Sequence, residues 1–146
     1  MSEGSFNRAR SRARRLAVQA VYQYLVGAAA PAEVIRQFIE GRNTGRADLD
    51  FFREMVTVSC DDREALEAEI GPLLDRPLVQ LDPVEHAILL LATAELRDRL
   101  EVPYRVVVDE AVELAKMFGA DQSYKFINAV VDKAARTLRN TEASKG

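Results

Sequence analysis

Pro103-Tyr104-Arg105-Val106-Val107-Val108-Asp109-Glu110-Ala111-Val112-Glu113-Leu114-Ala115-Lys116-Met117-Phe118-Gly119 is the stretch that decides the fold. Taken alone, its three consecutive valines favour a strand, because β-branched side chains sit well on a pleated surface. The context favours a helix. Ala111, Val112, Leu114, Ala115 and Phe118 carry the apolar pattern on to Gly119 with no turn signal, and i,i+3 and i,i+4 spacings fit them better than alternation does.

Outward from this stretch the same periodicity repeats. Downstream, a last helix begins near Asp121, buries Phe126, Ile127, Val130, Val131, Ala134 and Leu138, and gives way to a polar tail after Arg139. Upstream, Asp82-Pro83-Val84-Glu85 combines an N-cap, a first-turn proline and a glutamate three residues past the cap, as in a capping box. The helix it opens, Val84 to Leu100, is too apolar around its circumference for a surface helix and is expected to be central. Asp48 reads as the N-cap of a helix using Leu49, Phe52, Met55, Val56 and Ser59, and Asp61 or Asp62 restarts a helix through Leu66, Ile70 and Leu73. Pro31 opens a short helix to Glu40, ended by Gly41 and followed by a polar loop to Ala47. The first helix runs from about Arg8 to Gly27. Seven helical segments, short connections and no alternating strand pairs predict an all-α bundle. The expected layout is a basic, partly flexible arm over residues 1–15, a single helical domain over 8–139 and a flexible tail over 140–146.

Composition narrows the function. A chain of 146 residues has one domain's worth of core, and 48% hydrophobic with 29% charged residues excludes low-complexity and collagen-like classes. One cysteine, Cys60, and one histidine, His86, leave no disulfide framework and almost no soft metal ligands, so neither a metal nor a cofactor is expected. No apolar run approaches the ~20 residues of a membrane span, which predicts a cytoplasmic protein without membrane association. The formal charge of −3 is unevenly spread. Within residues 1–15, Arg8, Arg10, Arg12, Arg14 and Arg15 face one acid, Glu3, a net of +4. Between Glu33 and Asp75 eleven acidic side chains meet five arginines. A basic arm on an acidic body is a local footprint for an anionic partner, and arginine suits forked phosphate contacts and stacking on bases. On a helical wheel Arg8, Arg12, Arg15, Gln19 and Tyr22 form one stripe, an aromatic sharing a face with arginines.

Enzymatic chemistry has little to build on. His86 reads as a solvated first-turn residue, Cys60 as a small core side chain, and Glu110 and Glu113 as a solvated pair with Lys116 one turn beyond. No phosphate-binding glycine loop and no H-E-x-x-H occurs. The segment Phe118 to Asn128 is different, being polar, aromatic and basic at a helix N-terminus, where free N–H groups favour an anion and Tyr124 or Phe126 offers a stacking surface. An ordinary helix corner with Phe126 in the core is the alternative.

Taken in order, Arg8-x-Arg10-x-Arg12-Ala13, Ala17-Val18-Gln19-Ala20-Val21-Tyr22, Pro83-Val84-Glu85-His86-Ala87-Ile88-Leu89 and Val102-Pro103-Tyr104-Arg105-Val106 resemble the NusB family of transcription antitermination factors. The strongest resemblance lies in Asp109-Glu110-Ala111-Val112-Glu113-Leu114-Ala115-Lys116-x-Phe118-Gly119 and Ser123-x-Lys125-Phe126-Ile127-Asn128-x-Val130-Val131-Asp132-Lys133-Ala134-Ala135. It spans roughly Arg8 to Leu138, weakly through Ala28–Gln80. Asp109, Gln122 and Ala129 depart from the family's more frequent asparagine, acidic residue and glycine.

The resemblance implies about seven helices in two small subdomains sharing one core. It also implies a non-enzymatic protein that pairs with NusE, a small-subunit ribosomal protein, and binds the boxA element of nascent ribosomal RNA operon transcripts. The complex then acts on RNA polymerase to suppress premature termination. Carried over, the RNA-binding residues are Arg8, Arg10, Arg12, Arg14, Arg15, Gln19, Tyr22, Gln122, Ser123, Lys125 and Phe126, and Glu85 faces NusE. Arginines, Tyr22 and Phe126 are expected on one patch. Two rivals stand beside this reading. One is a homodimeric adaptor or ribosome-assembly factor whose basic face is a protein interface. The other is the N-terminal domain of ribosomal RNA cytosine methyltransferases, which this fold also resembles, but 146 residues leave no room for the cofactor-binding domain.

Overall fold

The computed structural model describes residues 2–140 and 142, and among them the chain forms seven α-helices and no strand. They are α1 (Glu3–Val26), α2 (Pro31–Gly41), α3 (Leu49–Asp61), α4 (Arg63–Ile70), α5 (Pro83–Asp98), α6 (Tyr104–Phe118) and α7 (Ser123–Leu138), with 3-10 turns at Gly71–Leu73 and Leu78–Gln80. The residues Glu85 to Leu96 of α5 are all buried, so this helix must be enclosed on every side. It packs against α1, α3, α4, α6 and α7, with α1 to α4 gathered as one group and α6 and α7 as the other. The valine stretch is helical: Tyr104, Val107, Val108, Ala111, Leu114 and Ala115 face inward at helical spacing, and Val106 is exposed.

Several helix starts follow the sequence signals closely. Asp48 accepts a hydrogen bond from the Phe51 N–H at 3.1 Å, and Asp82 accepts one from the Glu85 N–H at 2.9 Å. The reciprocal half of the capping box takes another course, because the Glu85 carboxylate turns to α7 and accepts the Ser123 hydroxyl at 2.7 Å. α1 begins five residues earlier than its periodicity indicated. Ser2 caps it by accepting from the Ser5 N–H, so Glu3 to Asn7 are helical although they carry no apolar repeat.

Two structural anchors are arginines, one expected on the RNA-binding surface and one at the end of the helical domain. Arg14 projects from α1 into a bidentate pair with Glu95 of α5, at 2.9 and 2.6 Å, with its side chain only 9% exposed. Burial works against this guanidinium's charge, but the hydrogen bonds and charge of Glu95, with Glu110 nearby, outweigh it and raise its pKa. Arg139, at the end of α7, donates to the backbone carbonyls of Leu96, Arg99 and Val102, closing the open C-terminal end of α5. Glu142 accepts from Arg139 and from the Tyr104 N–H, supplying the cap that Pro103 lacks. Thr141 and residues 143–146 of the expected tail lie outside the described residues.

The turn into α7 holds Gln122 at φ 70°, a left-handed conformation that side chains with a Cβ rarely adopt. Replacing Gln122 with Gly is expected to stabilise the fold by about 0.5–1 kcal/mol in chemical denaturation. Arg14→Met is expected to cost about 3–5 kcal/mol by stranding Glu95 in the core, and adding Glu95→Leu to recover most of that loss. Equal stability of the single and double variants would show that the pair is not what docks α1 on α5.

Candidate nucleic-acid interface

The outer face of α1 carries the arginine stripe in the order that the helical repeat dictates. Arg8, Arg12 and Tyr22 are exposed, and Arg15 and Gln19 half-buried. What half-buries them is a second wall that sequence periodicity did not single out. The loop after α2 folds back over α1: the Asp48 N–H bonds to the Ala9 carbonyl at 3.0 Å, and Asn43 accepts from the Gly45 N–H to make a tight turn. Gly45 has φ 57°, a left-handed turn that calls for glycine; a Cβ there would also lie 2.8 Å from Arg12 Nη1, the far end of a flexible side chain that can move aside. The third side is the end of α6, Met117 and Phe118.

Three depressions run end to end along this seam. The first, about 560 Å³, lies between Arg8, Arg12, Gly45 and Arg46. The second, about 440 Å³, shares Arg12 and Gly45 with it and adds Arg15, Asn43 and Met117. The third, about 310 Å³, shares Gln19 and Phe118 with the second and opens beside Tyr22 and Arg42. Together they form one groove, cationic at the N-terminal end of α1 and aromatic at the other.

Ion pairing sets these arginines apart. Arg10, Arg14, Arg36, Arg63, Arg76, Arg97, Arg99, Arg136 and Arg139 each have a carboxylate within 4 Å. Among the described residues no such partner accompanies Arg8, Arg12, Arg15, Arg42 or Arg46, and all five line the groove. Arg53 of α3 has no carboxylate within 4 Å either, but it lines none of the three depressions. In a protein with more acidic than basic side chains, five adjacent unpaired guanidiniums make a local concentration of positive charge.

Other expected site residues are placed differently. Arg14 is committed to Glu95 and leaves the phosphate-facing set. Arg10 turns the same way: its guanidinium is stacked between the rings of Phe6 and Phe51, at 4.6 and 4.5 Å, and faces Asp48. Ser123 and Glu85 are buried against one another, so the serine orients the turn and does not reach outward, and the glutamate is not an exposed partner contact. Gln122 and Lys125 are exposed at that turn. Phe126 is half-buried with the Arg76 guanidinium 4.4 Å over its ring and lines none of the three depressions; the groove's second aromatic is Phe118, half-buried as well.

The remaining candidates for chemistry are structural. His86 is buried, contrary to its expected solvation, because α4 lies over the start of α5 and sets Glu67 Oε2 at 2.7 Å from His86 Nε2. Burial pushes the Cys60 thiol up to about 12, with Asp61 adding to the effect, which matches its reading as an inert core side chain. Glu110 accepts from Ser11 at 2.6 Å and adjoins Arg14, while Glu113 pairs with Lys116, so the two carboxylates have separate tasks. Among the described residues no group of three or more His, Cys, Asp or Glu is placed to hold a metal, and no helix is long and apolar enough to cross a membrane.

Comparison with known proteins agrees with this fold. The chain is 48% identical over its full length to the transcription antitermination protein NusB of Halorhodospira halophila, covering 94% of that protein. It is 45% identical to the protein of the same name from Idiomarina loihiensis over 91% of this chain and 96% of that one. The solved structure of T. maritima NusB superposes with a TM-score of 0.75 at 26% identity, covering 92% of this chain and 97% of that one. Residues 11–136 match the model of the NusB family, and the chain belongs to that family.

Proposed function

We propose that this protein is a transcription antitermination factor that binds the boxA element of nascent ribosomal RNA operon transcripts as single strand, in company with NusE, and delivers the complex to RNA polymerase. The reading rests above all on the five unpaired arginines that converge on one groove ending in Tyr22 and Phe118. Phosphates would lie along Arg8, Arg12, Arg15 and Arg46, and unstacked bases would meet the rings, with Gln122 and Lys125 flanking. The protein binds without turnover. Its relatives' shared name, transcription antitermination protein, supports the role, and their near full-length match supports carrying it to this chain.

The acidic body limits what the groove achieves alone. Affinity for RNA is expected to be modest and steeply salt-dependent, and a basic ribosomal protein bound alongside relieves the repulsion and extends the RNA surface. Titrating labelled boxA RNA at several salt concentrations tests both parts. Replacing Arg12 and Arg15 together by alanine is expected to shallow the slope of log K against log salt by roughly 1.4, about 0.7 for each single-strand phosphate that is no longer neutralised. The same change at Arg36, exposed but paired with Glu33 and Glu40, is expected to leave the slope alone. A slope that ignores the first substitution would remove the groove from the phosphate path. NusE is expected to tighten boxA binding, and identical affinities with and without it would contradict the cooperative part of the proposal.

A further inference from the structure

We propose that the depression beside Tyr22 is a pocket for one splayed-out RNA base and that Gln23 reads that base's edge, an inference that rests on the RNA-binding reading above. The cavity, about 310 Å³, is at the lower end of small-ligand sites and continues the arginine groove through Gln19 and Phe118. A strand whose phosphates follow Arg12 and Arg15 arrives at its mouth. Inside are two rings, Tyr22 and Phe118, over an aliphatic floor of Val18 and Val84, an apolar slot for a planar group.

Three polar side chains rim this slot, and two are already committed. Gln19 donates from Nε2 to the Arg15 carbonyl at 3.0 Å and accepts from Arg42 Nη1 at 3.0 Å, so both ends of its amide are used. Arg42 is held by that bond and by the Phe38 ring, 4.1 Å below its guanidinium. It is a fixed cationic edge suited to a phosphate or a carbonyl oxygen. Gln23 is different. It is exposed on α1, and its side-chain amide has no hydrogen-bond partner among the described residues. A free amide offers a donor and an acceptor side by side, the complement of one edge of an unpaired base. A solvated backbone-only ligand would leave both the ring slot and the amide unused, and a cationic or amine ligand would meet Arg42.

Fluorescence anisotropy with a labelled single-stranded RNA of about 12 nucleotides, and all its single-base variants, tests the assignment. Wild type is expected to discriminate by about tenfold at one position, and Gln23→Leu to level that position while keeping the salt slope and the affinity for the poorest base. Gln23 is solvent-facing, so the variant keeps its fold, which its melting temperature checks. A 4-thiouridine at the discriminating position is expected to crosslink to peptides holding Tyr22 or Phe118. A Gln23→Leu profile identical to wild type, a wild type flat at every position, or crosslinks confined to other peptides would each overturn the base pocket and leave the groove intact. Loss of all salt-dependent RNA binding in wild type would instead overturn the RNA reading, and this inference with it.

Discussion

The bidentate pair between Arg14 and Glu95 sets the rotation of α1, and the rotation of α1 decides which arginines this protein can present. At 100° per residue, Arg10 lies only about 40° from Arg14 around the helix, whereas Arg8, Arg12, Arg15, Gln19 and Tyr22 lie roughly 80–160° away. Seating Arg14 against α5 therefore takes Arg10 inward to Phe51 and turns the other five toward the loop after α2. One helix thus divides its arginines into a structural pair and a displayed stripe. An aliphatic residue in place of Arg14 could bury as much surface, but it would not fix the helix's angle through two parallel hydrogen bonds.

Much of this was legible in the sequence, and the part that was not has a physical reason. The helical wheel already separated Arg8, Arg12 and Arg15 from Arg10 and Arg14, which share their side with Ala13 and Ala17. Counting the arm as one block of charge blurred that distinction, since net charge carries no direction. The caps of α3 and α5 were legible because the group that satisfies each N–H is three residues away in the chain. The ends satisfied from afar were not. Arg139 closes α5 from about forty residues downstream, and Glu142 caps α6 from 38 residues downstream. His86 and Glu85 went unread for the same reason, their partners Glu67 and Ser123 being brought to them only by tertiary packing.

The groove shows the same limit from the functional side. Its α1 wall repeats every three or four residues and announces itself, whereas the opposite wall is a loop with no period, read correctly as polar but without a position. Phe118 and Phe126 are both half-buried against the core near a helix end, and of the two Phe118 lines the groove. The linker after α4 settles the matter for Phe126 by placing Arg76 across its ring. Phe118 is left at the meeting point of two depressions, beside Gln19 and within the same slot as Tyr22.

Five guanidiniums along one seam repel one another, and the fold tolerates this in two ways. Solvent screens the exposed ones, and fixed acceptors hold others: Gln19 receives Arg42, and Ser5 receives Arg8 at 3.3 Å. Neither acceptor is an acid. A carboxylate in either place would relieve the repulsion more fully, as Glu33 and Glu40 do for Arg36, but would also neutralise the charge that the groove presents. Neutral acceptors keep each guanidinium oriented and charged together, so the repulsion persists in the free protein and is released only when an anion lies along the groove. In the proposed function, part of the energy that would hold a phosphate backbone here is the strain of an electrostatic arrangement left unsatisfied when the chain folds.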